Sequence, residues 1–483
     1  MSAPRAARLA VGLYGRRIGN LERDAGRLTF KYSDEYASGQ NLTTPLSLSM
    51  PVGETTYRNR PIEAYLRGLM PDHKDVRERW ARRYGVKDRD SFGLIAAIGT
   101  DCAGAAIFAP EDEFDHAMSG QGGLEPLDEG DIAARLRSLR ADDSNWQEED
   151  EHWSLAGGQG KFALTRTDGS WSRPTGPTPS THIVKPGIAS IGAQALSEHI
   201  CLTTYANIGM STAKTEYVEF EDQPAIVVER YDRRIGPSGA VTRIHQEDMC
   251  QVFAIGPSKK YQTDGGPDVR RISERLLEVA DEESNRRFAR AVIVNYLIGA
   301  PDAHAKNYSI MLIGNSSTLA PVYDIVSGLI PGADGALRYP KVAMSIGGEM
   351  RIGEVEGKNW ARFATACGLD EDDIRSMVHE AARDIPDAMN DAMSTVPRAA
   401  GIEMLRQELL PRVARLCEVT VAAMNESRRT NGRVTEPVLG ELQSLTRPTT
   451  GIQGRQPLGT PTGGQYTHKV RRDSGLTLPP EDD

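Results

Sequence analysis

The sequence predicts an α+β fold with two lobes, the first rich in strands and the second mostly helical, preceded by a small domain of strands and helices. Short runs of alternating apolar residues, typical of strands, recur up to about residue 232, whereas helical periodicity dominates after it. A glycine-rich segment and a lysine at a strand end lie in the strand-rich part. A polar loop that carries Asp302 interrupts buried segments in the helix-rich part. This is the order of a bilobal fold with functional groups in both lobes.

Bulk properties narrow the class of protein. The chain has 483 residues, enough for two or more domains, and its net charge of −10 argues against a primarily electrostatic nucleic-acid binder. No apolar run approaches the length of a membrane-spanning helix, and the N-terminus lacks the apolar core of a signal peptide. The cysteines are scattered without a Cys-x-x-Cys pair: Cys102, Cys201, Cys250, Cys367 and Cys417. A reduced cytoplasmic protein without a structural zinc site is therefore expected.

The first domain is predicted to span residues 1–118. Its pattern predicts an antiparallel meander over Leu9–Tyr32 and helices over Asp75–Tyr84 and Asp90–Ile98, with Asp90 as the N-cap of the second. Basic residues outnumber acidic ones around residues 58–83. Such an excess is more often a solvated helix face than a nucleic-acid contact, so the solvated face is the preferred interpretation.

A change of composition follows the first domain. Residues 119–152 contain a Gly-Gln-Gly-Gly run, an amphipathic helix near Asp131–Leu139 and an acidic run over residues 148–151. Glycine and dense like charge are typical of connections, so a linker between domains is predicted here.

The strand-rich lobe is predicted over residues 153–232. Small residues at Ala156–Lys161 lie between two apolar strands and would let backbone amides approach an anion, although a plain glycine-rich hairpin is the alternative. The segment is not a Walker A loop, because Lys161 is followed by Phe. A strand then ends at Lys185, and a helix over Gln194–Ile208 carries Glu198, whose side chain either pairs with a lysine or faces solvent. A buried strand turns polar at Glu229.

The second lobe is predicted over residues 233–430. Helices are expected at His245–Phe253, Val269–Ala280, Asn285–Ile298, Asp370–Ile385 and Met404–Met424, with strands around Lys341–Ile352. The Pro-, Gly- and Thr-rich segment 436–483 has too few apolar residues for a core and is predicted to be disordered.

Three acidic or amide side chains predict the chemistry. A buried helix breaks at Gly299 into a loop with Asp302 and Asn307, and Asp324 ends the following apolar run. Asp-x4-Asn is the spacing of the protein-kinase catalytic loop, in which Asp accepts the hydroxyl proton and Asn holds Mg²⁺. One Asn and one further Asp suffice as protein ligands, because Mg²⁺ shares its shell with phosphates. The spacing alone is common, but its position between two buried segments and before a third acid strengthens the interpretation.

Together these residues make the chain resemble the HipA family, serine/threonine kinase toxins of bacterial toxin–antitoxin systems. The resemblance extends over about residues 9–400 in the family's order and rests on the following segments: Leu21–Asp24, Pro45–Met50, Ser154–Lys161, Thr181–Pro186, Val228–Asp232, His245–Asp248, Lys259–Pro267, Asp302–Asn307 and Val322–Asp324. It implies a bilobal protein-kinase-like fold, with the N-terminal meander and helices packed against the strand-rich lobe.

The resemblance also implies a role for each site residue. Asp302 would be the general base, Asn307 and Asp324 would hold Mg²⁺, and Ser154 would be an inactivating autophosphorylation site. Lys185 would bind the ATP phosphates, with Glu198 as its possible partner. The other implied ATP-binding residues are those of the phosphate loop (Ala156, Gly157, Gly158, Gln159, Gly160 and Lys161), the hinge (Glu229, Arg230 and Tyr231) and the nucleotide-site lining (His304, Lys306 and Tyr323). The chain departs from the family pattern at Gly158, Gly160 and Pro301, and the added glycines put the stiffness of the loop in doubt.

The implied partners are a HipB-like DNA-binding antitoxin and a translation-related protein substrate, such as an aminoacyl-tRNA synthetase, whose phosphorylation arrests growth. DNA would be contacted only indirectly or through the antitoxin. Two other readings stay open: a small-molecule phosphotransferase, and a co-repressor that acts mainly by binding the antitoxin. A metal hydrolase built on Asp302 and His304 is disfavoured, because the sequence supplies neither a second His nor clustered acids for it.

Overall fold

The computed structural model describes residues 7–39, 43–148, 150–187, 193–237, 239–330 and 337–429. The segment 436–483, predicted to be disordered, lies outside them. The described residues form an N-terminal domain, a strand-rich first lobe and a helical second lobe. None of their helices is long and apolar enough to cross a membrane.

The N-terminal domain is built on an antiparallel five-stranded sheet with the strand order β4-β3-β2-β1-β6. Its elements are β1 (Arg8–Leu13), β2 (Arg16–Asp24), β3 (Arg27–Tyr32), α1 (Asp34–Ser38), β4 (Thr56–Arg58), α2 (Arg60–Gly68), α3 (Lys74–Tyr84), α4 (Ser91–Ile98), β5 (Asp101–Cys102), β6 (Ile107–Ala109) and α5 (Phe114–Ser119). The meander and the helices α3 and α4 form as predicted. Asp90 caps α4 by accepting a hydrogen bond from the Gly93 N–H.

The first lobe contains an antiparallel six-stranded sheet with the strand order β12-β13-β11-β9-β10-β7. Its elements are β7 (Gly123–Leu127), α6 (Glu129–Ala141), β8 (Trp153–Ser154), β9 (Phe162–Thr167), β10 (Ser170–Thr175), β11 (His182–Lys185), α7 (Gln194–Asn207), β12 (Thr215–Phe220) and β13 (Gln223–Glu229). The glycine-rich segment connects β8 to β9. Strand β8 leaves this sheet and pairs in parallel with β5 of the N-terminal domain.

Residues 119–152 do not form the predicted linker. Strand β7 is the edge strand of the first-lobe sheet, and α6 buries Ile132 and Leu136 in the core. At the end of the acidic run, the carboxylate of Glu151 is buried in a bidentate ion pair with Arg135, at 2.6 and 2.7 Å. The sequence concealed this role because an edge strand exposed on both faces has no apolar alternation to reveal it.

The second lobe is mainly helical. Its elements are β14 (Arg233–Ile235), β15 (Val241–Arg243), β16 (His245–Asp248), α8 (Met249–Val252), α9 (Val269–Val279), α10 (Glu282–Leu297), β17 (Ser309–Ile313), β18 (Ser316–Leu319), β19 (Lys341–Ile346), β20 (Glu349–Arg351), α11 (Gly357–Cys367), α12 (Glu371–Ser394), α13 (Ile402–Met404) and α14 (Leu410–Arg429). A π-helical turn over Leu405–Leu409 precedes α14. Helices α9, α10, α12 and α14 correspond to four of the five predicted helices.

Two predicted helix boundaries in this lobe were wrong. The segment predicted as a helix from His245 begins as β16, which pairs with β17, and becomes helical only after Asp248 caps α8 through Gln251. Helix α12 does not end at Ile385 but continues through Pro386. Burial of Met389 and Met393 in the lobe core offsets the backbone hydrogen bond that proline removes.

The N-terminal domain packs directly on the first lobe, as predicted. Leu9, Phe30 and Trp80 of the domain belong to the same buried apolar cluster as Phe162 and Val227 of the lobe sheet. Helices and strands of the second lobe form a separate cluster, to which α7 of the first lobe also contributes Leu196 and Tyr205. The domain and the sheet of the first lobe therefore share one hydrophobic core.

A buried ionic network also joins the N-terminal domain to the end of β13. Asp101 on β5 accepts hydrogen bonds from Arg233 at 2.8 Å and Arg230 at 3.3 Å, and from the Ser180 hydroxyl at 2.6 Å. Asp232 binds the Arg230 guanidinium through both oxygens, at 3.0 and 2.9 Å. The side chains of both aspartates and both arginines are at most 4% exposed.

We expect Asp101→Asn to lower the free energy of unfolding by about 3–5 kcal/mol, because it leaves buried guanidinium charge without its counter-ion. Denaturant unfolding followed by circular dichroism measures this loss. The control is Glu216→Gln, which breaks an exposed ion pair with Arg166 and should cost no more than about 1 kcal/mol. Equal effects of the two variants would contradict the role given to the buried network.

Candidate active site

A cleft of about 250 Å³ is lined by residues of both lobes and of the N-terminal domain. It contains Lys185 from the first lobe together with Asp302, Asn307 and Asp324 from the second. The glycine-rich segment forms part of its wall, together with Tyr231 and Tyr323. Every residue predicted to bind ATP, except Gly160, lines this cleft.

Lys185 lies at the centre of a buried ion triad. Its ammonium group donates to Glu198 on α7 at 2.7 Å and to Asp324 at 2.7 Å. Burial alone would lower the pKa of Lys185, but the attraction of Asp324 and Glu198 outweighs it, so this pKa is raised and the lysine stays charged. Burial raises the pKa of Asp324 less than Lys185 and Lys161 lower it, so this carboxylate is ionised. The second oxygen of Glu198 has no hydrogen-bond partner among the described residues.

Asp324 is held in an unusual backbone conformation. Its φ of +58° lies in the left-handed region, which non-glycine residues adopt at a cost that surrounding contacts must cover. The preceding Tyr323 hydroxyl anchors the segment by donating to the Lys306 carbonyl at 2.7 Å. The Asn307 amide donates to the carbonyls of Asp302 at 2.8 Å and Asp324 at 3.4 Å. These bonds bring the side chains of the three predicted metal and proton-transfer residues into one corner of the cleft.

Asp302 keeps 28% of its side chain exposed to the cleft. Burial of the rest of the side chain raises the pKa of Asp302, while Lys260 and a hydrogen bond from the Tyr261 hydroxyl lower it. Burial has the larger effect, and the pKa of Asp302 is raised to about 7. A carboxylate with this pKa binds a proton more readily than an ordinary one, which suits a general base.

His304 lies behind Asp302. Its ring packs edge-on against the Tyr261 ring, with the two ring centroids 4.8 Å apart. Its Nε2 lies 4.0 Å from a carboxylate oxygen of Asp302. Burial lowers the pKa of His304 well below its usual value, so the ring is neutral. Its Nδ1 has no hydrogen-bond partner among the described residues.

Two side-chain hydrogen bonds hold the glycine-rich segment in place. The Lys161 ammonium donates to the Ala156 carbonyl at 2.8 Å and lies 5.1 Å from the centre of the Trp146 ring. Burial lowers the pKa of Lys161 to about 8, and the nearby charge of Lys185 acts in the same direction. Gln159 donates to the Gln194 side chain at 3.1 Å, at the start of α7.

The added glycines differ in their surroundings. A Cβ at Gly158 would meet open space, whereas one at Gly160 would meet the Asp143 carboxylate. Gly157 has a φ of +101°, a conformation that other residues rarely adopt. Gly160 therefore has close side-chain neighbours, and Gly158 does not.

The predicted hinge residues make different contributions. The Arg230 side chain belongs to the buried network with Asp101, so only its main chain is free for other roles, and its N–H already donates to Thr181 at 2.9 Å. The Tyr231 ring lies 5.7 Å from that of Tyr323, and both line the cleft.

Ser154 is fully buried. Its hydroxyl donates to the Leu69 carbonyl of the N-terminal domain at 2.7 Å, and β8 is paired with β5. In this conformation the side chain is a strand serine bonded to the backbone, and no acceptor site for a phosphoryl group is open at its oxygen.

Sequence reasoning missed two residues that line the cleft, Lys260 and Asp72, and one that contacts Asp302 from outside its lining, Tyr261. Tyr261 binds Asp302, while Lys260 and Asp72 form a salt bridge at 2.8 Å. Lys260 and Tyr261 lie in the Lys259–Pro267 segment, which supported the family resemblance but received no role. Asp72 belongs to the N-terminal domain, and no local pattern distinguishes it from other acidic residues there.

The residues of the cleft fit a magnesium–nucleotide complex. Asp324 and Asn307 offer the hard oxygen ligands that Mg²⁺ prefers, and Lys185 supplies buried positive charge. No group of three or more His, Cys, Asp or Glu side chains in the described ranges could hold a metal ion by itself. The metal-hydrolase alternative therefore gains no support from the arrangement around His304.

Comparisons with known proteins show which family the chain resembles. Residues 9–109 match the family model described as the HipA N-terminal domain, and residues 153–389 match the HipA-like C-terminal domain. A putative kinase from Sinorhizobium fredii, Y4mE, is 33% identical over 74% of this chain and 84% of its own length. The serine/threonine-protein kinase toxin HipA of Shewanella oneidensis is 29% identical over 89% of this chain and 99% of its own length.

The fold agrees as well. The solved HipA chain of Shewanella oneidensis, in a complex with HipB and its operator DNA, superposes with a TM-score of 0.74 at 25% identity. The match covers 88% of this chain and 100% of that one. The predicted α+β, protein-kinase-like fold and protein kinase activity are thereby confirmed. The chain belongs to the HipA family of serine/threonine-protein kinase toxins.

Proposed function

We propose that this chain transfers the γ-phosphoryl group of Mg-ATP to serine or threonine hydroxyls of another protein. The observation that carries the proposal is the Lys185 triad with Glu198 and Asp324, in the same cleft as Asp302. A kinase needs its strand lysine paired with a helix glutamate and its metal-binding Asp in place at once. Lys185 makes both contacts here, with Glu198 and with Asp324, each at 2.7 Å.

Each residue has a defined task in this reaction. Lys185 and Lys161 supply positive charge beneath the glycine-rich loop, where the phosphates of ATP would lie. Asn307 and Asp324 would hold Mg²⁺, which neutralises phosphate charge during transfer. The oxygen of the acceptor hydroxyl bonds to the γ-phosphorus, and the bond between that phosphorus and the leaving oxygen of ADP breaks. Asp302 accepts the proton that the hydroxyl loses.

We expect ATP to stabilise the protein only when a divalent cation is present, because Asn307 and Asp324 bind the nucleotide through the metal. At a concentration of one hundred times Kd, a ligand stabilises the folded state by about 2.7 kcal/mol. Thermal unfolding with a non-hydrolysable ATP analogue, with Mg²⁺ or with EDTA, measures the difference. Asn307→Ala should lose most of the Mg²⁺-dependent shift. Equal shifts with and without Mg²⁺ in the wild type would contradict the metal-site assignment.

The relatives support a proposal for the cellular role. We propose that the chain acts in the bacterial cytoplasm as the toxin of a pair with a HipB-like antitoxin, and that DNA is contacted through the antitoxin. Its acceptor would be a translation-related protein such as an aminoacyl-tRNA synthetase, which is supported by the family resemblance alone. The solved relative in complex with HipB and operator DNA also favours a second role, co-repression with the antitoxin. Co-repression does not need Asp302, so Asp302→Asn separates the two roles.

A further inference from the structure

The N-terminal domain contributes a carboxylate to the cleft. Asp72, between α2 and α3, accepts hydrogen bonds from the ammonium groups of Lys260 at 2.8 Å and Lys306 at 3.0 Å. These lysine side chains are only 4% and 5% exposed. Lys306 immediately precedes Asn307 in the catalytic loop. One acidic side chain of the first domain thus holds two buried cations of the second lobe.

The same segment of the N-terminal domain holds the glycine-rich loop. The Asp72 N–H donates to the Gly157 carbonyl at 2.8 Å, and Pro71 and Gly157 form an isolated parallel β-bridge. One turn earlier, the Leu69 carbonyl accepts the hydroxyl of Ser154. Residues 69–72 therefore contact the phosphate-loop side and the catalytic-loop side of the cleft at once.

Electrostatics makes the Asp72 carboxylate necessary for this arrangement. Two ammonium groups bound to one carboxylate lie close together among buried side chains, and their mutual repulsion would separate them if the carboxylate were absent. Burial raises the pKa of Asp72 less than Lys306 and Lys260 lower it, so the pKa lies well below its usual range and the carboxylate is ionised. Lys260 also attracts the charge of Asp302, which opposes the effect of burial on that pKa.

We propose that Asp72 is a positioning residue of the phosphoryl-transfer site, whose carboxylate fixes Lys306 and Lys260 while its backbone holds the glycine-rich loop. The N-terminal domain is then a component of the active site as well as a partner in the hydrophobic core. The kinetic consequence rests on the proposed function, whereas the restraint on the two lysines does not.

The restraint is tested by amine-reactive labelling of the full-length protein, with each lysine quantified by mass spectrometry. Asp72→Asn keeps the shape and the backbone hydrogen bond but removes the charge, so Lys306 and Lys260 should react several-fold faster than in the wild type. The control is Asp75→Asn, which makes the same charge change at an exposed position of α3 and should leave both rates unchanged. Unchanged labelling of both lysines in Asp72→Asn would overturn the proposal.

The kinetic role is tested with Mg-ATP and a degenerate serine/threonine peptide library as acceptor. Misplacement of Lys306 should lower kcat of Asp72→Asn by about tenfold or more, while Kd for Mg-ATP changes less than about threefold. A loss of nucleotide affinity with unchanged kcat would overturn the positioning role.

If Asp72→Asn does not fold, the double variant Asp72→Asn/Lys260→Gln removes the repulsion between the ammonium groups of Lys260 and Lys306. Its kcat is compared with that of Lys260→Gln alone. A lower kcat in the double variant supports the role of Asp72, and equal values overturn it. If the wild type transfers no phosphate, the proposed function fails, and the labelling result still decides the restraint.

Discussion

Asp302→Asn should abolish phosphoryl transfer while leaving Mg-ATP binding intact. The amide keeps the shape of the carboxylate and can still contact Tyr261, but it cannot accept the hydroxyl proton. Loss of a general base costs about 10²- to 10⁴-fold in rate. Steady-state transfer kinetics and calorimetric titration of Mg-ATP measure the two effects separately. Expression of this variant without antitoxin should not arrest growth.

The matched control is Asp391→Asn, an exposed position of α12 outside the cleft, which should transfer phosphate and arrest growth like the wild type. Growth arrest that persists in Asp302→Asn at equal expression would favour a role by binding alone. A parallel loss of Mg-ATP affinity would show that Asp302 serves nucleotide binding and not proton transfer.

Phosphorylation of Ser154 should lower the affinity for ATP by about a hundredfold or more. The hydroxyl is fully buried against the Leu69 carbonyl, and a phosphate would add roughly 1.5 to 2 negative charges there. Burial of such a charge without a counter-ion costs several kcal/mol, so β8 and the glycine-rich loop that follows it must leave their positions. We propose that incubation with Mg-ATP produces this modification slowly, because β8 must first separate from β5.

Intact-protein mass spectrometry followed by ATP titration tests this switch. Ser154→Ala should bind ATP without time-dependent loss, at a cost of about 1 kcal/mol in stability from the missing hydrogen bond. Two results would refute the switch: Ser154 unmodified after long incubation of active wild type, or modified protein that binds ATP as well as before.

Residues whose chemistry is encoded locally could be predicted from the sequence. Asp302 and Asn307 share one short loop, Lys185 ends a strand, and Glu198 lies on the helix that follows. The structure brings Lys185 and Glu198 together at 2.7 Å, as the resemblance to the family implied. It favours the partner interpretation of Glu198 over a solvated helix face, because the side chain is fully buried.

Contacts between distant segments could not be predicted. Asp72 and Lys306 are separated by 234 residues, and an aspartate in the N-terminal domain carries no local sign of its partner. Strand β7 escaped detection because its exposed, proline-containing sequence has the composition of a connection. Helix α12 continues through Pro386 because tertiary packing outweighs the tendency of proline to end a helix.

Quantitative phosphoproteomics tests most directly whether this chain is a protein kinase acting on serine and threonine hydroxyls. Wild type and Asp302→Asn are expressed briefly and at equal levels in a host that lacks the antitoxin. We predict phosphoserine or phosphothreonine sites on a small set of proteins that rise with the wild type and are absent with Asp302→Asn. Identical phosphoproteomes, together with growth arrest in the wild type, would contradict the claim.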